Sequence, residues 1–124
     1  MITALLMAAS AVAVPAPDGV WINPAQSVRV RIEACGGALC GTVIAATLQA
    51  QADARSNGGS SLIGMALLRD YRRTGPNSWQ GRVFVPDWKR EFFSRIVATR
   101  PGEMRVSGCV LGGWLCKSQV WTRL

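Results

Sequence analysis

Apolar and polar side chains alternate with a period of two along most of this chain, the signature of half-buried strands. In SVRVRIEAC, Val28, Val30, Ile32 and Ala34 share one face, and Arg29, Arg31 and Glu33 share the other. SWQGRVFV sets Trp79, Gly81, Val83 and Val85 against Gln80 and Arg82, and EMRVSGCV sets Met104, Val106, Gly108 and Val110 against Arg105, Ser107 and Cys109. GVWI (19–22), GTVIAAT (41–47), IGMALLRDY (63–71), EFFSRIVA (91–98) and KSQVWTRL (117–124) bring the strand candidates to eight. Between them fall Asn23-Pro24, Gly36-Gly37, Gly75-Pro76-Asn77, Pro86-Asp87, Pro101-Gly102 and Gly112-Gly113, all turn formers. Short strands joined by short turns predict an all-β antiparallel barrel or sandwich. LQAQADARSNGGSS (48–61) breaks the rhythm. Its first half predicts one or two helical turns, and its Ser/Asn/Gly tail a surface excursion or, less simply, a lid.

The opening MITALLMAASAVAVPAPDG reads as an export signal, apolar and ending in small residues, though without an early Lys or Arg. Ala11-Val12-Ala13 fits the small-x-small pattern, which places cleavage after Ala13 and leaves residues 14–124 as a single domain. The apolar run is shorter than the ~20 residues that span a bilayer, so no transmembrane segment is expected. No cysteine precedes Cys35, which argues against a lipid anchor at the junction. The expected location is periplasmic or secreted. The 14 Lys and Arg outnumber the 7 Asp and Glu, giving a net charge of +7 and favouring anionic partners such as an envelope surface. An exported chain is not expected to meet nucleic acid.

Four cysteines form two local pairs, Cys35 with Cys40 and Cys109 with Cys116, each around a Gly-Gly. Zinc is disfavoured, because the chain has no histidine and the thiol spacing is wide for a zinc knuckle. An oxidising compartment makes four thiols a disulfide framework. Closing the two short loops gains ~2 to 2.5 kcal/mol each, whereas joining Cys35 to Cys116 gains ~4.5 in the same entropic model. Strand ends facing each other around tight turns favour the local pairs, and the crossed arrangement stays open.

The missing histidine also removes the usual neutral-pH proton shuttle. Asp87 and Glu91 face each other across the PDWKR turn as an acid–base candidate, but solvated hairpin charges beside Lys89 and Arg90 are the simpler reading. Ser60 and Ser61 lack an activating lysine. No enzyme, cofactor or metal site is expected. Of the five tryptophans, Trp21, Trp79 and Trp121 lie in strands and are expected to point inward, while Trp88 and Trp114 lie in turns.

Parity sharpens one point. With Cys109 facing outward and bonded to Cys116, unbroken alternation sends Lys117, Gln119, Trp121 and Arg123 to the inner face, lining a pocket for a ligand with an apolar body and an anionic head. A bulge near Cys116 would instead leave Lys117 and Gln119 on the surface, and the balance tilts slightly to that bulge.

Several features in order, Gly19-x-Trp21, VRIEACGGALCG with Leu39-Cys40-Gly41, Gly64, Trp79-x-Gly81, Pro86, Gly108 and the closing Trp121-Thr122-Arg123, make the chain resemble the domain of unknown function 2147 family of small exported bacterial proteins. The resemblance covers nearly everything from Gly19 to Leu124 and implies a lipocalin-like fold, an eight-stranded antiparallel up-and-down barrel with one short helix or loop insertion. It also implies that Arg123 lies across the Trp21 ring at the closed end, a cation–π contact of ~0.5 to 2 kcal/mol. The family's Asp-Pro turn leads into Gly and then Tyr, both missing from VPDWKREFF, where Phe92 or Phe93 takes the ring's place. The resulting expectation is a barrel that holds a small amphipathic or hydrophobic ligand, touched by Trp21, Trp79, Lys117, Gln119, Trp121 and Arg123. The alternative is an envelope interaction module whose basic, Trp-bearing surface meets anionic lipid, glycan or protein.

Overall fold

A computed structural model describes residues 13–56, 61–110 and 115–124. Residues 1–12 of the expected leader, the loop tail 57–60 with Ser60, the Gly112-Gly113 turn and Trp114 lie outside the described residues. Eight antiparallel strands close into a barrel in chain order: β1 (Gly19–Ile22), β2 (Val28–Cys35), β3 (Ala38–Ala46), β4 (Ala66–Gly75), β5 (Ser78–Val85), β6 (Arg90–Arg100), β7 (Glu103–Val110) and β8 (Leu115–Arg123). The seam runs between β1 and β8, with Trp21 opposite Arg123 and Ile22 opposite Thr122. Period-two alternation thus becomes a closed cylinder, the arrangement that leaves no strand edge unpaired.

The first hairpin shows why β3 begins earlier than the alternation alone suggests. Gly36 and Gly37 take φ of 62° and 82°, the left-handed pair that suits a two-residue hairpin, so Cys35 is already opposite Ala38. Cys40 then faces Glu33, and its disulfide with Cys35 runs diagonally over a Cα separation of 5.9 Å. Ala34, expected inside, is exposed, although Leu39 opposite it is buried in the core.

Between β3 and β4, α1 (Leu48–Ser56) is the helix expected from the LQAQADARS composition. Thr47 caps it, its hydroxyl accepting the Ala50 amide at 3.1 Å. Ala50 and Ala54, one turn apart, face the barrel, and Ala54 and Leu62 are buried in the core. β4 starts at Ala66, later than expected, because the preceding residues are tied to β3 by the Gly64 amide on the Val43 carbonyl and the Val43 amide on the Met65 carbonyl.

β4 also breaks alternation in its middle. Asp70 takes φ of 54°, and the pairing with β5 shifts between Arg69 and Arg72. This bulge inserts one residue, so Leu68 and Tyr71, three apart, both point inward and are buried. The Tyr71 ring fits because β5 carries Gly81, where a Cβ would lie 2.7 Å from the ring's Cγ.

Outward positions carry Arg29, Arg31, Arg82, Arg95 and Arg105, all exposed, where a lipid-spanning barrel needs an apolar band. No helix among the described residues is long and apolar enough to cross a membrane. The two barrel ends differ. At one, Trp21 donates its indole N–H to the Pro17 carbonyl at 2.9 Å, and the Arg123 guanidinium lies 4.6 Å over its ring and donates to the Asp18 carbonyl. Val14 joins this closed end, its amide bonded to the Pro76 carbonyl and its carbonyl to Arg73.

Candidate functional site

The opposite end is hollow. Ala54 and Leu62 fill the β1–β3 side, but the β4–β8 side holds a cavity of about 310 Å³. Its walls are Leu67 and Leu68 of β4, Val83 and Val85 of β5, Phe92 of β6, Val106 and Gly108 of β7, and Lys117, Gln119 and Trp121 of β8, with Trp88 at the β5–β6 turn. The reason is side-chain volume. Inward positions nearer the closed end carry Trp79, Ile96, Met104 and Tyr71, whereas those nearer the open end carry valines and Gly108. The same alternation leads from a packed interior to an empty one.

The β7–β8 register settles which way the last strand faces. Cys109 is opposite Cys116, Gly108 opposite Lys117, Val106 opposite Gln119 and Met104 opposite Trp121, without a shift. The bulge favoured by the sequence is therefore absent from this pairing. A disulfide between directly opposed cysteines, with Cα atoms 4.0 Å apart, keeps the two strands in step. Lys117 and Gln119 line the cavity while remaining exposed to solvent through its mouth. The Trp121 indole donates to the Gln119 carbonyl oxygen at 3.2 Å, which turns the donating end of that amide away from the ring. An ammonium and an amide N–H₂ thus stand on one wall of an otherwise apolar chamber, and both are hydrogen-bond donors.

The other expected contact residues are placed elsewhere. Trp21 and Arg123 lie at the closed end, where they line a separate recess of about 430 Å³ between the N-terminal segment and the β6–β7 turn rather than the chamber at the open end. Trp79 is buried beneath Arg73, whose guanidinium is 4.6 Å from the ring. Of the two phenylalanines offered as the substitute ring, Phe92 lines the cavity and Phe93 is exposed. Leu67 and Leu68 were missed as lining residues, because the pairing with β3 shifts between Leu68 and Ala66 and the Asp70 bulge follows, so alternation does not show the phase of β4. Glu91, offered as the acid–base partner of Asp87, is ion-paired with Arg69 at 3.2 Å and Arg82 at 3.6 Å on the outer wall.

Beneath the cavity lies a small polar spot. Ser94, fully buried, is opposite both Gly81 and the cavity-lining Gly108, and its hydroxyl donates to the Ser107 carbonyl. The Tyr71 hydroxyl lies beside Ser94 but closes no hydrogen bond of good geometry. Burial pushes the phenol well above its ordinary pKa, and the contact with Ser94 offsets only part of that.

The family model described as "Uncharacterized protein conserved in bacteria (DUF2147)" matches residues 19–123. The chain belongs to this family. Among solved structures, it is similar to protein HP1028 from Helicobacter pylori, described as belonging to the lipocalin family, at 14% identity and a TM-score of 0.69 over 90% of this chain and 84% of that one. At that identity the likeness is one of fold, a lipocalin-like barrel. No curated protein matches the sequence.

Proposed function

We propose that this member of the DUF2147 family is an exported carrier that holds a single-chain amphiphile with an anionic head, and performs no chemistry on it. The observation that carries this reading is the apolar chamber with Lys117 and the Gln119 amide on one wall. A packed barrel would serve a purely external role equally well, and this barrel is hollow. At about 310 Å³ the cavity lies at the small end of ligand sites. Allowing ~30 Å³ per methylene-sized group, it admits roughly ten such groups, a medium-length chain. Burying them gains about 8 kcal/mol gross, and immobilising the ligand cancels up to about half of it, so a Kd on the order of 10 µM to 1 mM is expected.

Export is supported by the two disulfides and by the N-terminal segment. Val14, the residue that cleavage after Ala13 would leave first, is bonded to Pro76 and Arg73 of the barrel. A mass measurement on protein recovered from the host envelope should show both the trimmed N-terminus and four oxidised cysteines.

The binding test is a titration with decanoate and decyl sulfate, followed by tryptophan emission. Saturable change is expected, with Trp121→Phe removing most of the signal. Val83→Phe, which fills the chamber with a ring, should weaken binding at least tenfold while leaving the melting temperature near its starting value. Lys117→Ala should abolish the preference for anionic over neutral heads. A response equal in wild type and Val83→Phe would place the amphiphile outside the barrel and defeat the proposal.

A further inference from the structure

We infer that the open end of the barrel is a membrane-docking face, which presses the mouth of the cavity against an anionic bilayer. The inference goes beyond the carrier reading; it shares Trp88 and Lys117 with the cavity lining and adds Leu48, Ile63 and the cations around the mouth. Three large apolar side chains project into solvent around this one end, each from a separate segment. Leu48 at the start of α1 is 84% exposed, Trp88 in the β5–β6 turn 60% and Ile63 after α1 44%. Single exposed apolar residues are ordinary on protein surfaces. Their gathering at the rim is less ordinary, since among the described residues the closed end presents only Leu124 in this class and the other such side chains, Ile44, Phe93 and Val120, lie on strand walls.

The rim is also rigid and basic. Trp88 is held edge-on against Phe92 at 5.5 Å between ring centres, and its turn is closed by the Trp88 amide on the Val85 carbonyl and the Lys89 amide on the Pro86 carbonyl. The ring is thus presented without loss of chain freedom on docking. Beside it are Lys89 and Arg90; Lys117 stands in the mouth, and Arg55 ends α1. The acids at this end are Asp53, which accepts from Gln49 at 2.8 Å, Asp87, and Glu91, which is held by Arg69 and Arg82 on the outer wall. Four cations and that arginine pair against three carboxylates leave the rim positive. Tryptophan with flanking cations is the pairing that settles at the lipid–water boundary, the indole among the headgroups and the charges on their phosphates.

Charge complementarity selects an anionic surface, and the spacing of the apolar groups selects a fluid one. Separate side chains around an opening give no continuous patch for a folded partner to cover. A bilayer accommodates each one independently. Docked in this pose, the chamber opens directly onto the acyl region, and an amphiphile enters it without its chain crossing water.

The test uses the protein recovered from the host envelope, with sedimentation on phosphatidylglycerol-containing and pure phosphatidylcholine vesicles. Binding is expected to the first, weakened at least tenfold by 0.5 M salt and nearly absent on the second. Trp88→Ala should weaken it at least tenfold and Leu48→Ser about threefold. Leu124→Ser and Arg100→Gln, at the closed end, should leave it unchanged. In the wild-type protein, brominated lipid should quench emission, and Trp88→Phe should remove that quenching. Because all variants share one N-terminus, a retained leader cannot produce this pattern. Equal losses from rim and closed-end substitutions would reduce the attraction to diffuse charge and overturn the proposal, as would absence of vesicle binding. Failure of the decanoate titration alone would leave it intact.

Discussion

The two ends of this barrel are built from the same strands and the same alternation, yet the interior is plugged at one, with a recess left between the N-terminal segment and the β6–β7 turn, and empty at the other. The plug is made by one local and two long-range ties: the Trp21 indole on the Pro17 carbonyl, Arg123 across that indole, and Val14 stitched to Pro76 and Arg73. The open end has valines, a glycine and a half-covering helix. Stability is therefore concentrated at one end, and the other is left free to take a guest.

Truncating one large ring at each end is the strongest way to break that comparison. Trp21 is 2% exposed and holds both the N-terminal segment and Arg123, so Trp21→Ala is expected to cost about 3–5 kcal/mol. Phe92 borders space that is already empty, and Phe92→Ala should cost about 1–2 kcal/mol, since fewer packed atoms lose their neighbours. Denaturant midpoints at constant slope measure both. Similar losses would show that the chamber is closed over and packed in solution.

The disulfides sharpen the comparison, because one sits in the β2–β3 hairpin at the closed end and the other beside the cavity wall. Replacing either pair by serine should cost about 2 kcal/mol, as both loops are short. Their effect on binding should differ. Losing Cys109–Cys116 frees the strands that hold Lys117 and Gln119, and decanoate affinity should fall severalfold; losing Cys35–Cys40 should leave it within twofold. Calorimetric titration of the two double variants decides this.

How far the site could be read from sequence follows the same division between regular and irregular pairing. On β8 the phase was available, because Cys109 fixes the face of β7 and a bond to Cys116 carries that face across the turn; what sequence left open was a bulge, and the register excludes it. On β4 the phase was lost at Asp70. A non-glycine residue at positive φ has no strong sequence mark, although two apolar residues three apart in LLRDY, with a turn-forming Asp between them, were a usable hint. The closed end was legible in outline from Gly19-x-Trp21 and Arg123. The cavity's existence was not, since emptiness is a sum of volumes over strands whose order and phase must first be known.

The smallest expected effect tests the boundary between the two halves. Tyr71 is 1% exposed, its hydroxyl closes no good hydrogen bond, and it lies over Gly81 beside Ser94, beneath the cavity. A buried hydroxyl that gave up water without recovering a partner is a net cost, so Tyr71→Phe should raise stability by about 0.5–1 kcal/mol at pH 7. The pH dependence gives a second handle. Desolvation raises the folded-state pKa above the ~10 of the unfolded chain, so above that pH the unfolded state releases a proton that the folded state keeps. The stabilisation is complete below pH ~10 and is lost as pH rises past it; the wild type should weaken there more steeply than Tyr71→Phe. The chain has a single tyrosine, so phenolate absorbance reports this residue alone. It should stay flat past pH 10 in the folded protein and appear with unfolding. Ordinary titration near pH 10 would mean that water from the chamber reaches the hydroxyl, and that the hollow half extends deeper than the plug allows.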